Sequence, residues 1–193
     1  MPRLTDRSAE AEQARRHPTA ERQRAAAVSD QVTVRPVQDP DQAWVITTLE
    51  SVWGSAFVAR RGELLDASSF GGFVADERGQ RLGLAIVVPR GPEYEVLSLS
   101  TTTPGRGVGR ALLERCFADA EARGCRRVWL TTTNDNLAAF AFYQRLGMDL
   151  CALHRNAVED ARRLKPSIPS HGTEGIPIKH ELEFERLLPR RPL

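Results

Sequence analysis

Between residues 31 and 187, short alternations of apolar and polar residues give way to helical spacing and back again. Residues 31–37 set Val32, Val34 and Val37 among polar neighbours, which predicts a first strand. Asp39 followed by Pro40 reads as an N-cap with proline at the first helical position. Val45, Ile46, Leu49, Val52 and Trp53 then recur at helical spacing until Gly54. Three short segments rich in Val, Phe, Leu and Ile follow, at 56–60, 70–76 and 81–88. Glu77-Arg78-Gly79-Gln80 separates the last two, which therefore read as an antiparallel hairpin.

Residues 93–103 form the next predicted strand, with Tyr94, Val96, Leu97 and Leu99 for packing. It runs directly into Pro104-Gly105-Arg106-Gly107-Val108-Gly109. A helix follows, with Val108, Leu112, Leu113, Cys116, Phe117 and Ala120 as its inner stripe and Gly124 as its stop. Residues 127–133 read as a buried strand, and Asn134-Asp135-Asn136 opens a second helix that ends at Leu146 with Gly147 as cap. A strand at 148–154, a short helix at 157–164 and a closing strand at 178–187 complete the chain. Strands first, then β-loop-α-β-α-β, predict a mixed α/β sheet flanked by helices, with residues 31–193 as a single domain. Residues 1–30 stand apart. Six arginines and five acids are interleaved there with Ala, Gln and Ser, and no face is worth burying, so this stretch reads as a disordered or weakly helical leader.

Composition narrows the classes. Hydrophobic residues make up 41% and charged residues 27%, which is ordinary for a globular chain. A net charge of +2 from 27 basic and 25 acidic side chains provides no electrostatic footprint for nucleic acid. Cys116, Cys125 and Cys151 are an odd number at wide spacing, which indicates neither a disulfide framework nor a metal site. No apolar run approaches the roughly 20 residues that span a bilayer, and no secretory h-region begins the chain, so the expected location is cytoplasmic and away from membranes.

The chemistry starts at the glycine-rich junction. A helix start leaves about four backbone N–H groups unpaired, and its dipole favours an anion. Glycines at 105, 107 and 109 let a phosphate approach those groups, and Arg106 and Arg110 add positive charge nearby. A pyrophosphate is the natural guest, against the plainer reading of a tight strand-to-helix turn. The dinucleotide fingerprint GxGxxG fails at Arg110, and the stretch where its acid belongs holds Arg126 and Arg127. The P-loop fails too, because the only lysines are Lys165 and Lys179.

These residues resemble the coenzyme A loop of the GCN5-related N-acetyltransferases, Q/R-x-x-G-x-G/A after a strand. Gly107 and Gly109 match the two small positions, and Arg110-Ala111-Leu112-Leu113 is a typical helix start, while Pro104 stands where Gln or Arg is expected. A second motif of that family, N-x-x-A-x-x-x-Y followed by a turn and Gly, is matched by the run from Asn136 through Ala139 and Tyr143 to Gly147. The resemblance spans residues 32–187. It implies a mixed, mostly antiparallel sheet splayed between its fourth and fifth strands. The stretch 162–183 lies outside the common pattern and has no substrate attached to it.

The resemblance also implies roles. The expected reaction is direct transfer of an acetyl group from acetyl-CoA to a primary amine in a ternary complex, without a metal. Leu97, Ser98 and Leu99 would pair with the pantetheine arm, and a backbone N–H there, that of Leu99, would polarise the thioester carbonyl. Gly105, Arg106, Gly107, Val108, Gly109 and Arg110 would hold the diphosphate. Asn136 reads as an N-cap alone or, as the resemblance implies, as a pantetheine contact as well. Tyr143, seven residues on along the same helix side, is the candidate general acid, the alternative being a half-buried tyrosine packed with Phe140 and Phe142. Glu93 and Glu95 lie two apart on one strand face; either could take the amine's proton, with Asp66 and His154 as weaker candidates. The acceptor, a small molecule or a peptide, would sit near residues 56–70 and 166–177. A non-catalytic acyl-CoA-binding regulatory domain is the competing function, and relatives that dimerise leave a homodimer open.

Overall fold

The computed structural model describes residues 32–189, so the leader read at 1–30 lies outside the described residues. Among the described residues, nine strands and four α-helices are arranged as follows. β1 (Thr33–Pro36) leads through a single 3₁₀ turn into α1 (Gln42–Trp53). β2 (Phe57–Arg60), β3 (Glu63–Asp66), β4 (Gly72–Glu77), β5 (Gln80–Arg90) and β6 (Glu93–Thr101) follow in succession. Then come α2 (Val108–Ala122), β7 (Arg127–Thr133), α3 (Leu137–Arg145), β8 (Asp149–His154), α4 (Ala157–Leu164) and β9 (Glu181–Leu187).

Seven strands form one sheet in the order β1-β4-β5-β6-β7-β9-β8, and β2 and β3 form a separate hairpin. Every neighbouring pair is antiparallel except β6 and β7. That parallel pair is joined through α2, as a parallel pair must be joined by a crossover. Two apolar layers cover the sheet. Leu112, Leu113, Cys116 and Phe117 of α2 pack with Tyr94, Val96, Val128 and Phe184 on one face. Val45 and Leu49 of α1 pack with Val74, Leu84, Ile86 and Leu97 on the other. The helical stripe read from the sequence for α2 is thus the buried one.

Three readings need correction. Asp39 does not cap α1: Gln38 opens the 3₁₀ turn Asp39–Asp41, and the buried acid is Asp41. Its carboxylate accepts from the Gln38 N–H and from Arg35 and Arg81, and the Arg35 hydrogen bonds hold its pKa far below the usual range. β3 is an additional strand. It follows β2 through Arg61-Gly62, both at positive φ (48° and 77°), the backbone of a two-residue hairpin turn. The closing strand starts at Glu181 instead of 178, because the Asn134 side chain takes the Lys179 and His180 N–H groups that would have extended the ladder.

Candidate active site

β6 and β7 pair only at Glu93↔Arg127, Tyr94↔Val128 and Glu95↔Trp129. Beyond Glu95 the two strands diverge, which leaves the β7-facing edge of β6 without a partner strand. The same segment carries a bulge. On the β5 side, Val96 pairs with Val87 and Ser98 with Ile86, so Leu97 is skipped. The strand read as the pantetheine-binding segment is therefore the one that bulges and opens. Leu97 packs into the layer under α1, while Leu99 lies against the opposite one. Ser98 is buried, and its Oγ accepts from the Trp53 indole N–H at 3.0 Å.

β6 ends in the glycine-rich turn, and α2 begins directly after it. Gly107 is the N-cap at φ 74°, a conformation that other residues rarely adopt. No side chain caps the helix and its first turn holds no acid. The Ala111 N–H donates to the Gly107 carbonyl at 3.0 Å, so the N–H groups of Val108, Gly109 and Arg110 precede the first intrahelical donor. Three donors are thus presented at the positive end of a 15-residue helix. Gly109 has a different constraint: a Cβ there would come within 3.2 Å of Phe142 Cζ, so this glycine lets α2 approach α3 closely. Gly105 also turns the chain at positive φ. Arg106 is held by Glu77 at 2.8 and 3.0 Å, and Arg110 is exposed beside Glu114.

Asn136 caps α3 by accepting from the Ala139 N–H at 3.1 Å. Tyr143 lies 8% exposed on the same helix, with its ring against those of Phe142 and Phe184 at 5.4 and 5.5 Å. Burial pushes its phenol up to about 12. Both features of the sequence reading, packing and a retained proton, thus coexist in one side chain.

The acidic candidates are placed differently from expectation. Glu95 is 2% exposed and both its oxygens accept from Arg60, itself buried at the end of β2. Glu93 is bound by Arg127, which also grips Glu183 and Glu185. At roughly 3.3 Å per residue, Glu93 stands about 20 Å along the strand from Leu99. Asp66 caps the turn Ala67–Ser69 by accepting from the Ser68 N–H, and His154 Nε2 bonds Glu183 at 2.8 Å. Neither of these two faces the opening between β6 and β7 as a free group.

The profile of the acetyltransferase (GNAT) family matches residues 40–148. The Bacillus subtilis (strain 168) protein YdhI is 37% identical over 137 residues, covering 70% of this chain and 86% of that protein. The chain belongs to the acetyltransferase (GNAT) family. A GNAT acetyltransferase from Elizabethkingia anophelis, solved with acetyl-CoA bound, matches with TM-score 0.61 at 15% identity, covering 82% of this chain and 99% of that one. The GCN5-related N-acetyltransferase from Kribbella flavida gives 0.63 at 21%, covering 83% and 99%. At such identities the likeness establishes the GNAT fold alone, and the opening of the sheet between its fourth and fifth strands is read from the pairing of β6 with β7.

In this GNAT domain the sequence reading missed five side chains near the opening: Trp53, Arg60, Asn134, Lys165 and Glu181. Lys165 had no local signal, since its partners are 112 and 108 residues away, and the Glu95 partner of Arg60 is 35 residues away, beyond the neighbouring Glu63. Lys165 Nζ donates to the carbonyls of Trp53 and Phe57 at 2.7 and 2.5 Å, and burial lowers its pKa. Arg162 donates to the carbonyls of Ile168, Pro169 and Ile178. Together they fold the unassigned stretch after α4 against the end of α1. A cavity of about 370 Å³ results, lined by Trp53, Ala59, Thr133, Lys165, Ile168 and Glu181 among others. No helix among the described residues is long and apolar enough to cross a membrane.

Proposed function

We propose that this acetyltransferase is acetyl-CoA-dependent and acetylates a primary amine. The observation that carries the reading is the uncapped trio of N–H groups at Val108, Gly109 and Arg110, set at the end of the strand whose edge opens after Glu95. Diphosphate oxygens suit the amides, and the extended pantetheine arm suits the unpaired edge of Leu97, Ser98 and Leu99 as one more strand would. Acetyl-CoA supplies the activated acetyl thioester. On this reading the Leu99 N–H polarises the acetyl carbonyl, Asn136 contacts the arm, and the Tyr143 hydroxyl donates its proton to the departing sulfur. A phenol raised by burial is a donor throughout the neutral range, which supports that assignment.

Calorimetry with CoA tests the reading. Binding is expected in the micromolar range for the whole chain, and no heat at millimolar CoA would overturn it. Arg110→Glu places a negative charge in the first turn of α2, beside the proposed diphosphate site. It should weaken CoA binding about tenfold at low ionic strength, and the difference should shrink in 0.5 M salt as screening sets in. Coenzyme affinity that is unchanged at both salt concentrations would remove the diphosphate from this turn.

A further inference from the structure

We propose that the acceptor is a small amine with a single ammonium group and an apolar body, bound in the cavity beside α4, and that Glu181 takes its proton. The proposal rests on the acetyltransfer reading and adds the substrate class and the base.

The cavity lies at the end of β7, between the end of α1, β2, α4 and the start of β9. Trp53, whose indole is bonded to Ser98 of β6, lines one side, and Thr133 at the end of β7 lines another. Thr133 also borders a second cavity lined by Asn136, the proposed coenzyme contact. An amine in the first cavity therefore stands near two proposed contacts of the pantetheine arm, Ser98 through Trp53 and Asn136 through Thr133.

Glu181 is the unusual member of its face. It is 3% exposed and lines the cavity, and both its oxygens accept only the Arg61 backbone N–H, at 3.0 and 3.2 Å. Neighbouring acids have arginine side chains in contact: Glu95 has Arg60, Glu183 has Arg61 and Arg127 besides the His154 imidazole, and Glu185 has Arg127. Among the described residues, Glu181 has none within ion-pair distance. Arg60, Arg61 and His154 act on it only from beyond contact range. Burial raises its pKa, against a lowering by the Arg61 N–H and those more distant cations. A carboxylate held out of water without a cation is costly, and an entering ammonium offsets that cost.

The rest of the lining sets the body of the substrate. Val52, Val158, Ala161, Ile168, Pro169 and Ile178 make the walls apolar. The volume of about 370 Å³ falls at the low end of ligand pockets, roughly 300–1,000 Å³, and so suits a compact molecule. Lys165, whose ammonium also borders the cavity, disfavours a second positive charge and thereby a polyamine.

The ammonium gives one proton to Glu181, which passes it to water. The neutral nitrogen attacks the acetyl carbonyl, so a C–N bond forms and the C–S bond breaks. Tyr143 protonates the leaving sulfur and regains a proton from the second N–H. The products are an amide, CoA and one proton released to solvent.

A thiol-release assay with acetyl-CoA and 2-phenylethylamine, spermidine or an unblocked tripeptide tests this. 2-Phenylethylamine should exceed the other two in kcat/KM at least about tenfold. Glu181→Gln should lower its kcat/KM about 10²-fold while CoA affinity by calorimetry is unchanged. Ile168→Trp, on the loop away from the coenzyme turn, should raise KM for 2-phenylethylamine and spare ethylamine, a check independent of whether the Glu181 variant folds. Preference for spermidine or the tripeptide overturns the substrate class, and unchanged kcat/KM in Glu181→Gln overturns the base, both with the acetyltransfer reading intact. CoA binding without thiol release from any of the amines overturns the substrate class alone. Absence of CoA binding overturns the acetyltransfer reading and this inference together.

Discussion

Tyr143→Phe is expected to lower kcat by about 10²-fold with CoA affinity unchanged, the size of effect that removal of a positioned general acid produces. The phenol is buried against Phe142 and Phe184, so the phenylalanine ring fits the same space and the fold is retained. Steady-state thiol release measures the loss and calorimetry with CoA measures the control. A variant that retains full turnover would leave Tyr143 as a packing residue. The substitution also separates an enzyme from a coenzyme-binding sensor, since a sensor has no turnover to lose.

Glu95→Ala should destabilise the domain by about 3–5 kcal/mol, because it leaves the Arg60 guanidinium buried without its main counter-charge. The pair has side-chain exposures of 6% and 2%, so solvent screening does little to soften the loss. Against a typical stability of roughly 5–15 kcal/mol this is a large fraction, readable as a shift in the urea midpoint. The double variant Arg60→Met/Glu95→Leu should recover much of the deficit, since apolar replacement of a buried ion pair is often neutral. The same experiment addresses the earlier role for Glu95 as a base. A base would lose turnover in Glu95→Gln at a temperature where the variant is still folded, whereas a structural pair loses chiefly stability.

The elements that were legible are those governed by neighbours in the chain. The α2 stripe, the Gly124 and Gly147 stops, the Asn136 cap and the two-residue turn after β4 all appear where periodicity and turn chemistry put them. β3 escaped notice because Leu64 and Leu65 are adjacent and do not alternate, so only the Arg61-Gly62 turn could have announced it. The cap assigned to Asp39 failed for a related reason. Asp39 and Asp41 are both acids near a helix start, and only the second meets Arg35 and Arg81. The glycine-rich turn was read correctly as a helix entry, but its third glycine serves contact with Phe142, which no local pattern reveals.

For this chain, spacing and residue type predicted a strand running through a glycine-rich turn into a helix, and the resemblance carried by two motifs implied a GNAT domain. Backbone preferences and amphipathic periods act over a few residues, so they survive without a structure. The choice among carboxylates did not survive in that way. Glu93, Glu95 and Glu181 are chemically alike in one dimension, and they differ through strand order. Folding brings Arg60 onto Glu95 and Arg127 onto Glu93, and it leaves Glu181 beside a cavity with only an N–H from a residue 120 positions away.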